Sequence, residues 1–233
     1  MKTSTLLTVA VLAAAASVPA IASAQRAPAR VAVQRDVVTR IDDGYTLGNP
    51  KAPLKLTVVS SFGCIHCANL ENQGMAALRR DWVNTGKVQL RFVPFVMFPT
   101  DMAAITLADC GPTSGFFRRS AAIFARRDVT ERSARALDRA SVLRLRTAPM
   151  AEQNAIIVKG SRLNEGYQAM GMTPAQASAC LSSATLRAAV DKRQKLADTR
   201  YNPAGTPTVL LNGRKIASSW SGIEQELRNA LPR

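Results

Sequence analysis

The feature that most constrains the fold is a strand-forming run that feeds directly into a pair of cysteines. Leu54-Lys55-Leu56-Thr57-Val58-Val59 is β-branched and increasingly apolar, which reads as a buried strand. It leads through Ser60-Ser61-Phe62-Gly63 into Cys64-Ile65-His66-Cys67. A helical pattern then runs to about Arg80, with Leu70, Met75 and Leu78 among its apolar positions. Asn84-Thr85-Gly86 ends that helix, and Val88 to Phe95 reads as a second strand, parallel to the first. Strand, helix and parallel strand make a β-α-β unit, so the fold class is α/β. The cysteines then stand at the carboxyl end of a strand, where open α/β sheets place their sites.

Residues three apart share one face of a helix, so the sulfurs of Cys64 and Cys67 can close a small disulfide ring without moving the backbone. His66, the only histidine in 233 residues, lies between them. Its imidazole offers an N–H donor and, when protonated, a positive charge, and the helix dipole adds to both; each favours thiolate over thiol. Thiol–disulfide exchange runs through that thiolate. The motif therefore points to a disulfide oxidoreductase, with Cys64, Cys67 and His66 as candidate catalytic residues. Four cysteines permit zinc by count, but Cys110 and Cys180 lack C-x-x-C spacing, so no metal is expected. Haem attachment needs C-x-x-C-H, and residue 68 is alanine. Exchange between thiols needs no cofactor, and none is expected.

The compartment fits that chemistry. Met1-Lys2, the apolar stretch from Leu6 to Ala16, the break at Pro19 and the small-x-small site Ala22-Ser23-Ala24 read as a signal peptide over residues 1–24. A soluble protein of an oxidising, extracytoplasmic space such as the periplasm is expected, where disulfides form and persist. The formal net charge of +15 would favour acidic partners, acidic unfolded clients or anionic surfaces. Nucleic acid is not expected, because the basic residues are scattered as pairs, Arg79-Arg80, Arg118-Arg119, Arg126-Arg127 and Lys192-Arg193, and the chain is exported.

Residues 25–44 read as an N-terminal extension in which Val37-Val38 begins a short edge strand, and Gly48-Asn49-Pro50 is a turn. From Asp101 to about Asp198 the pattern is helical, with Phe117, Ala121 and Phe124 on one amphipathic face. Asp128-x-x-Glu131 and Thr173-Pro174-x-Gln176 have the form of capping boxes. About a hundred helical residues exceed one crossover, so 101–198 reads as an inserted helical subdomain. Thr206 to Leu211, Asn212-Gly213 and Arg214 to Ala217 form a hairpin, and Ser221-x-x-Glu224 caps a last helix ending at Leu231. Cys110 and Cys180 both fall in the helical region, and in an oxidising compartment a structural bridge is expected over two unpaired buried cysteines.

Taken together, Gly48-Asn49-Pro50-Lys51-Ala52-Pro53, the strand leading to Cys64-Ile65-His66-Cys67, and Gly205-Thr206-Pro207-Thr208 resemble the DsbA-like class of thioredoxin-fold proteins. The resemblance covers residues from about 45 to the C-terminus. It implies a thioredoxin fold over 45–100 and 199–233, interrupted by the helical subdomain. It also implies that Cys64 attacks and Cys67 resolves, that the Thr206–Pro207 bond is cis, and that Thr206 and Pro207 belong to the surface that holds a client peptide. Two positions depart from the class. Ile65 stands where proline is commoner, and Val58 stands where many relatives carry a buried acid, so proton transfer at Cys67 needs water or another group.

The expected function is that of a monomeric oxidase, which donates its disulfide to unfolded or newly exported cysteine-containing proteins and is reset by a membrane redox partner. A reductase or isomerase using the same site is the alternative, as is a non-catalytic peptide-binding module, although a module would not need both Cys64 and Cys67. The extension before Tyr45 looks too short for the dimerisation domain that isomerases of this fold carry.

Overall fold

Alternation along the strand before the cysteines sets the architecture of the whole molecule. The computed structural model describes residues 37–231, so the expected signal peptide and most of the extension after it lie outside the described residues. Strands β1 (Val38–Ile41) and β2 (Gly44–Leu47) precede β3 (Leu54–Ser60). Helix α1 covers residues 65–83 as Ile65–Leu70, a π-helical turn Glu71–Met75, Ala76–Leu78 and a second π-helical turn Arg79–Val83. Strand β4 (Val88–Pro94) follows. Eight helices come next: α2 (Asp101–Asp109), α3 (Phe116–Ala125), α4 (Arg127–Arg135), α5 (Arg139–Thr147), α6 (Met150–Gly160), α7 (Tyr167–Met170), α8 (Pro174–Leu181) and α9 (Ala184–Tyr201). The hairpin β5 (Thr208–Leu211) and β6 (Arg214–Ile216) and helix α10 (Trp220–Ala230) close the chain.

The six strands form one sheet in the order β1-β2-β4-β3-β5-β6. β3 and β4 pair in parallel, Val58 opposite Phe92, which the crossover through α1 makes possible. β5 pairs antiparallel to β3, with Val209 also opposite Val58. Because successive side chains point to opposite faces, Leu54, Leu56 and Val58 enter the main core with α1 and the inserted helices. Val59 points the other way and joins Val93, Leu210, Ala197 and Tyr201, where α9 covers the second face. Aromatic rings tie the insertion to the sheet. Phe62, two residues before Cys64, packs on Phe124 of α3 with ring centroids 4.8 Å apart, and Tyr45 stacks on Phe116 at 3.6 Å.

Several local expectations need correction. β2 was not expected: its four residues are all buried, so no alternation marks them. Helix α1 runs past Arg80 because its second π-helical turn carries it to Val83. Thr173 and Gln176 do form a capping box, each side chain accepting the other's backbone N–H. Asp128 caps nothing, since α4 has already begun at Arg127, and Glu131 is buried against Thr100 instead. The last helix is capped by Ser219, which accepts from the Gly222 N–H, and Ser221 lies inside it. In the hairpin, Asn212 and Gly213 both take positive φ, 49° and 87°, as a tight two-residue turn demands. No helix among the described residues is long and apolar enough to cross a membrane.

Candidate active site

Cys64 occupies the N-cap position of α1 in extended backbone, with φ −78° and ψ 124°. Its side chain makes no cap hydrogen bond, so the helix N-terminus acts on the sulfur through its dipole, which favours a negative charge there. Cys64 and Cys67 are free thiols, while Ile65 and His66 between them are exposed. Cys67 lies deeper, at 2% exposure against 6% for Cys64. The Thr206–Pro207 bond is cis. The Thr206 carbonyl oxygen lies 3.1 Å from Cys64 Sγ and accepts from the thiol. The Thr206 hydroxyl lies 3.2 Å from Met97 Sδ. Two segments distant in sequence thus meet at one sulfur, and Met97 reaches the same threonine.

The surroundings separate the two thiols. The Cys64 thiol is pulled down from 9.0 to about 5, chiefly by the Cys67 thiol donating to its sulfur. The Thr206 side chain and the backbone N–H groups of Cys67 and His66 add to this, and partial burial opposes it. The Thr206 carbonyl serves only the protonated form, so the balance rests with the donors. Cys67 moves the other way: burial pushes its thiol up, and the Cys64 sulfur raises it further. The Ser60 hydroxyl and Ser61 N–H only partly counter that rise. One exposed-side sulfur is made a thiolate, and its deeper partner keeps its proton. His66 bears on Cys64 through its backbone N–H, its ring standing exposed, whereas the sequence reading relied on the imidazole.

Sequence reasoning missed the groups that fix the loop before Cys64. Asp101, fully buried at the start of α2, accepts from Gly63 N–H at 2.9 Å through Oδ1. Its Oδ2 accepts from the Ser61 hydroxyl and from Met97 and Phe98 N–H, each at 2.8 Å. One carboxylate therefore joins the loop after β3 to the loop after β4. Burial pushes the Asp101 carboxyl up, although these donors pull it down. From α4, Arg127 Nε donates to the Gly63 carbonyl at 2.8 Å. Gly63 is held at both its N–H and its C=O. A Cβ here would sit 2.7 Å from Phe98, so only glycine fits. No local pattern marks Asp101 or Arg127; the Asp after Pro99-Thr100 signals only a helix start. Val58 is buried among apolar side chains, and the polar group at Cys67 is Ser60. Cys110, at the end of α2, and Cys180, in α8, are bonded to each other, with Cα atoms 5.8 Å apart.

Residues 41–229 match the family described as thioredoxin. Among solved structures, a protein-disulfide isomerase from Novosphingobium aromaticivorans is 26% identical with a TM-score of 0.75, covering 81% of this chain and 97% of that one. The α-DsbA1 protein of Wolbachia pipientis is 15% identical with a TM-score of 0.58, covering 79% of this chain and 88% of its own. Oxidised BdbD from Bacillus subtilis is 16% identical with a TM-score of 0.58, covering 83% and 96%. These last two likenesses show the fold, a thioredoxin fold with helices inserted between β4 and β5. No curated protein matches the chain.

Proposed function

The chain belongs to the thioredoxin family, and from that premise we propose that it is an extracytoplasmic oxidase that donates a Cys64–Cys67 disulfide to exported proteins. One observation carries the reading: Cys64 stands at the N-cap of α1 with Cys67 one turn behind it, an arrangement that pulls the Cys64 thiol down. Stabilising that thiolate stabilises the reduced protein, which makes its disulfide a stronger oxidant. In the first step a client thiolate attacks Cys64 Sγ, the Cys64–Cys67 bond breaks, and the electron pair goes to Cys67, which takes a proton. A second client thiolate then attacks the client sulfur of the mixed disulfide, and Cys64 leaves as a thiolate. The client dithiol loses two protons; one ends on Cys67 and one in solvent. The low position of Cys64 makes it the better leaving group in this second step.

Cys64 as the attacked sulfur, Cys67 as the resolving one and Thr206 with Pro207 as the client-holding surface are part of this proposal, as are a monomeric state and a membrane partner that restores the disulfide. The signal-peptide pattern and the Cys110–Cys180 bond support an oxidising compartment. A second reading, an isomerase using the same site, is favoured by the likeness to the protein-disulfide isomerase of Novosphingobium aromaticivorans; a reductase remains the further alternative. A Cys67→Ser variant incubated with reduced, unfolded client separates exchange from mere peptide binding. Charged beforehand with oxidised glutathione, so that Cys64 carries a glutathione mixed disulfide, the variant should exchange glutathione for the client thiol and accumulate client mixed disulfides on Cys64, with glutathione released; adducts that form instead on Cys67 in a Cys64→Ser variant charged in the same way would reverse the assignment.

A further inference from the structure

Beside Cys64, helix α4 presents a cationic hollow of about 360 Å³ lined by Arg127, Asp128, Glu131, Arg132 and Arg135. We propose that this hollow is a subsite for an acidic side chain of the client, close in sequence to the client's reacting cysteine. The inference deepens the oxidoreductase reading and rests on it. One end of the hollow is fixed to the reactive loop, because Arg127 Nε donates to the carbonyl of Gly63, the residue before Cys64.

The charge of the hollow is not balanced from within. Asp128 is taken up by Arg127, 2.9 Å away. Glu131 is buried, accepts from the Thr100 hydroxyl, and has its carboxyl pushed up by burial. Arg132 and Arg135 are exposed and make no ion pair among the described residues, although Arg135 lies near enough to Glu131 to act on its carboxyl. Two forked guanidinium groups are thus left to receive a carboxylate, a geometry that arginine suits better than lysine. A solvated helix end, where cations merely complement the dipole, would explain the same residues without any client preference. The position beside Gly63 favours the subsite.

Spacing sets which client residue is read. From residue 127 to 135 the helix advances about 12 Å at roughly 1.5 Å per residue. An extended client covers that in about four residues. The preference should therefore centre on acidic residues within about four positions of the client cysteine.

The test uses two peptides that differ only in carrying Glu-Glu or Gln-Gln two to four residues from a single cysteine. Second-order rates for reducing the oxidised protein are measured with wild type and with Arg132→Gln/Arg135→Gln. Taking the acidic-to-neutral rate ratio within each protein, then comparing proteins, cancels any effect of the glutamates on the peptide thiol. The ratio should fall about threefold to tenfold in the variant, the range expected for two exposed ion pairs. It should fall further in Arg132→Glu/Arg135→Glu, and the wild-type preference should shrink at high salt. An unchanged ratio in both variants overturns the subsite. If neither peptide reduces wild type, the oxidoreductase reading fails and the subsite falls with it.

Discussion

Replacing Cys67 with alanine should weaken the Cys64 thiolate by an amount that the site geometry fixes. The Cys67 thiol is the largest single contributor to the lowered Cys64 titration. A hydrogen bond to a charged group contributes about 1.5–3 kcal/mol, and one pH unit corresponds to about 1.36 kcal/mol. Cys64 should therefore titrate about one to two units higher than its present value of about 5. It should remain below an ordinary thiol, because the Thr206 side chain and the N–H groups of His66 and Cys67 stay in place. Cys67→Ser keeps a donor and should shift the titration less. Ultraviolet thiolate absorbance against pH on the reduced proteins measures all three. A Cys67→Ala titration equal to or below wild type would refute the argument and leave the helix N-terminus as the dominant cause.

Three further outcomes follow from the same geometry. The Cys64 thiolate titrates at about 5 when folded and at about 8.5 in an unfolded chain. The reduced protein should gain stability over the oxidised one as pH rises across that window, and lose it as pH falls through 5; urea midpoints of the two forms that run parallel with pH would contradict this. In Asp101→Asn the amide group must face at least one of the backbone N–H donors of Gly63, Met97 and Phe98 whichever way it turns. A loss of about 1–3 kcal/mol in urea denaturation is expected, and an unchanged midpoint would show that the carboxylate does not hold the two loops. Removing the bridge with Cys110→Ser/Cys180→Ser opens a separation of 70 residues, for which the chain-entropy model gives roughly 4 kcal/mol; thermal denaturation of the oxidised protein checks this, and no change in midpoint would mean the bridge constrains little.

The reactive centre was legible because its determinants are local. A buried run, a three-residue cysteine spacing and a following helical pattern all lie between Leu54 and Leu78. The clamp around Gly63 was not legible, because Asp101 and Arg127 reach it across 38 and 64 residues, and nothing in their own neighbourhoods distinguishes them. The same limit applies to caps. Ser221, with Glu224 three residues on, has the form of a capping box, yet the helix already begins at Trp220 and Ser219 caps it. Val58 was read as the site of a missing acid. Its packing beside Leu56 in the main core shows a position committed to burial, with the polar neighbour of Cys67 supplied two residues later by Ser60. His66 drew attention through its ring, whereas the structure turns its backbone N–H toward Cys64, a contribution that any residue at that position except proline can make.

The reduction potential of the Cys64–Cys67 pair tests the oxidase reading most directly. Equilibrating purified protein against defined glutathione buffers and quantifying the dithiol and disulfide forms yields it. A strongly stabilised Cys64 thiolate predicts a potential less negative than about −180 mV. A potential near −270 mV, in the range of thioredoxin, would contradict the oxidase reading and assign the site to reduction.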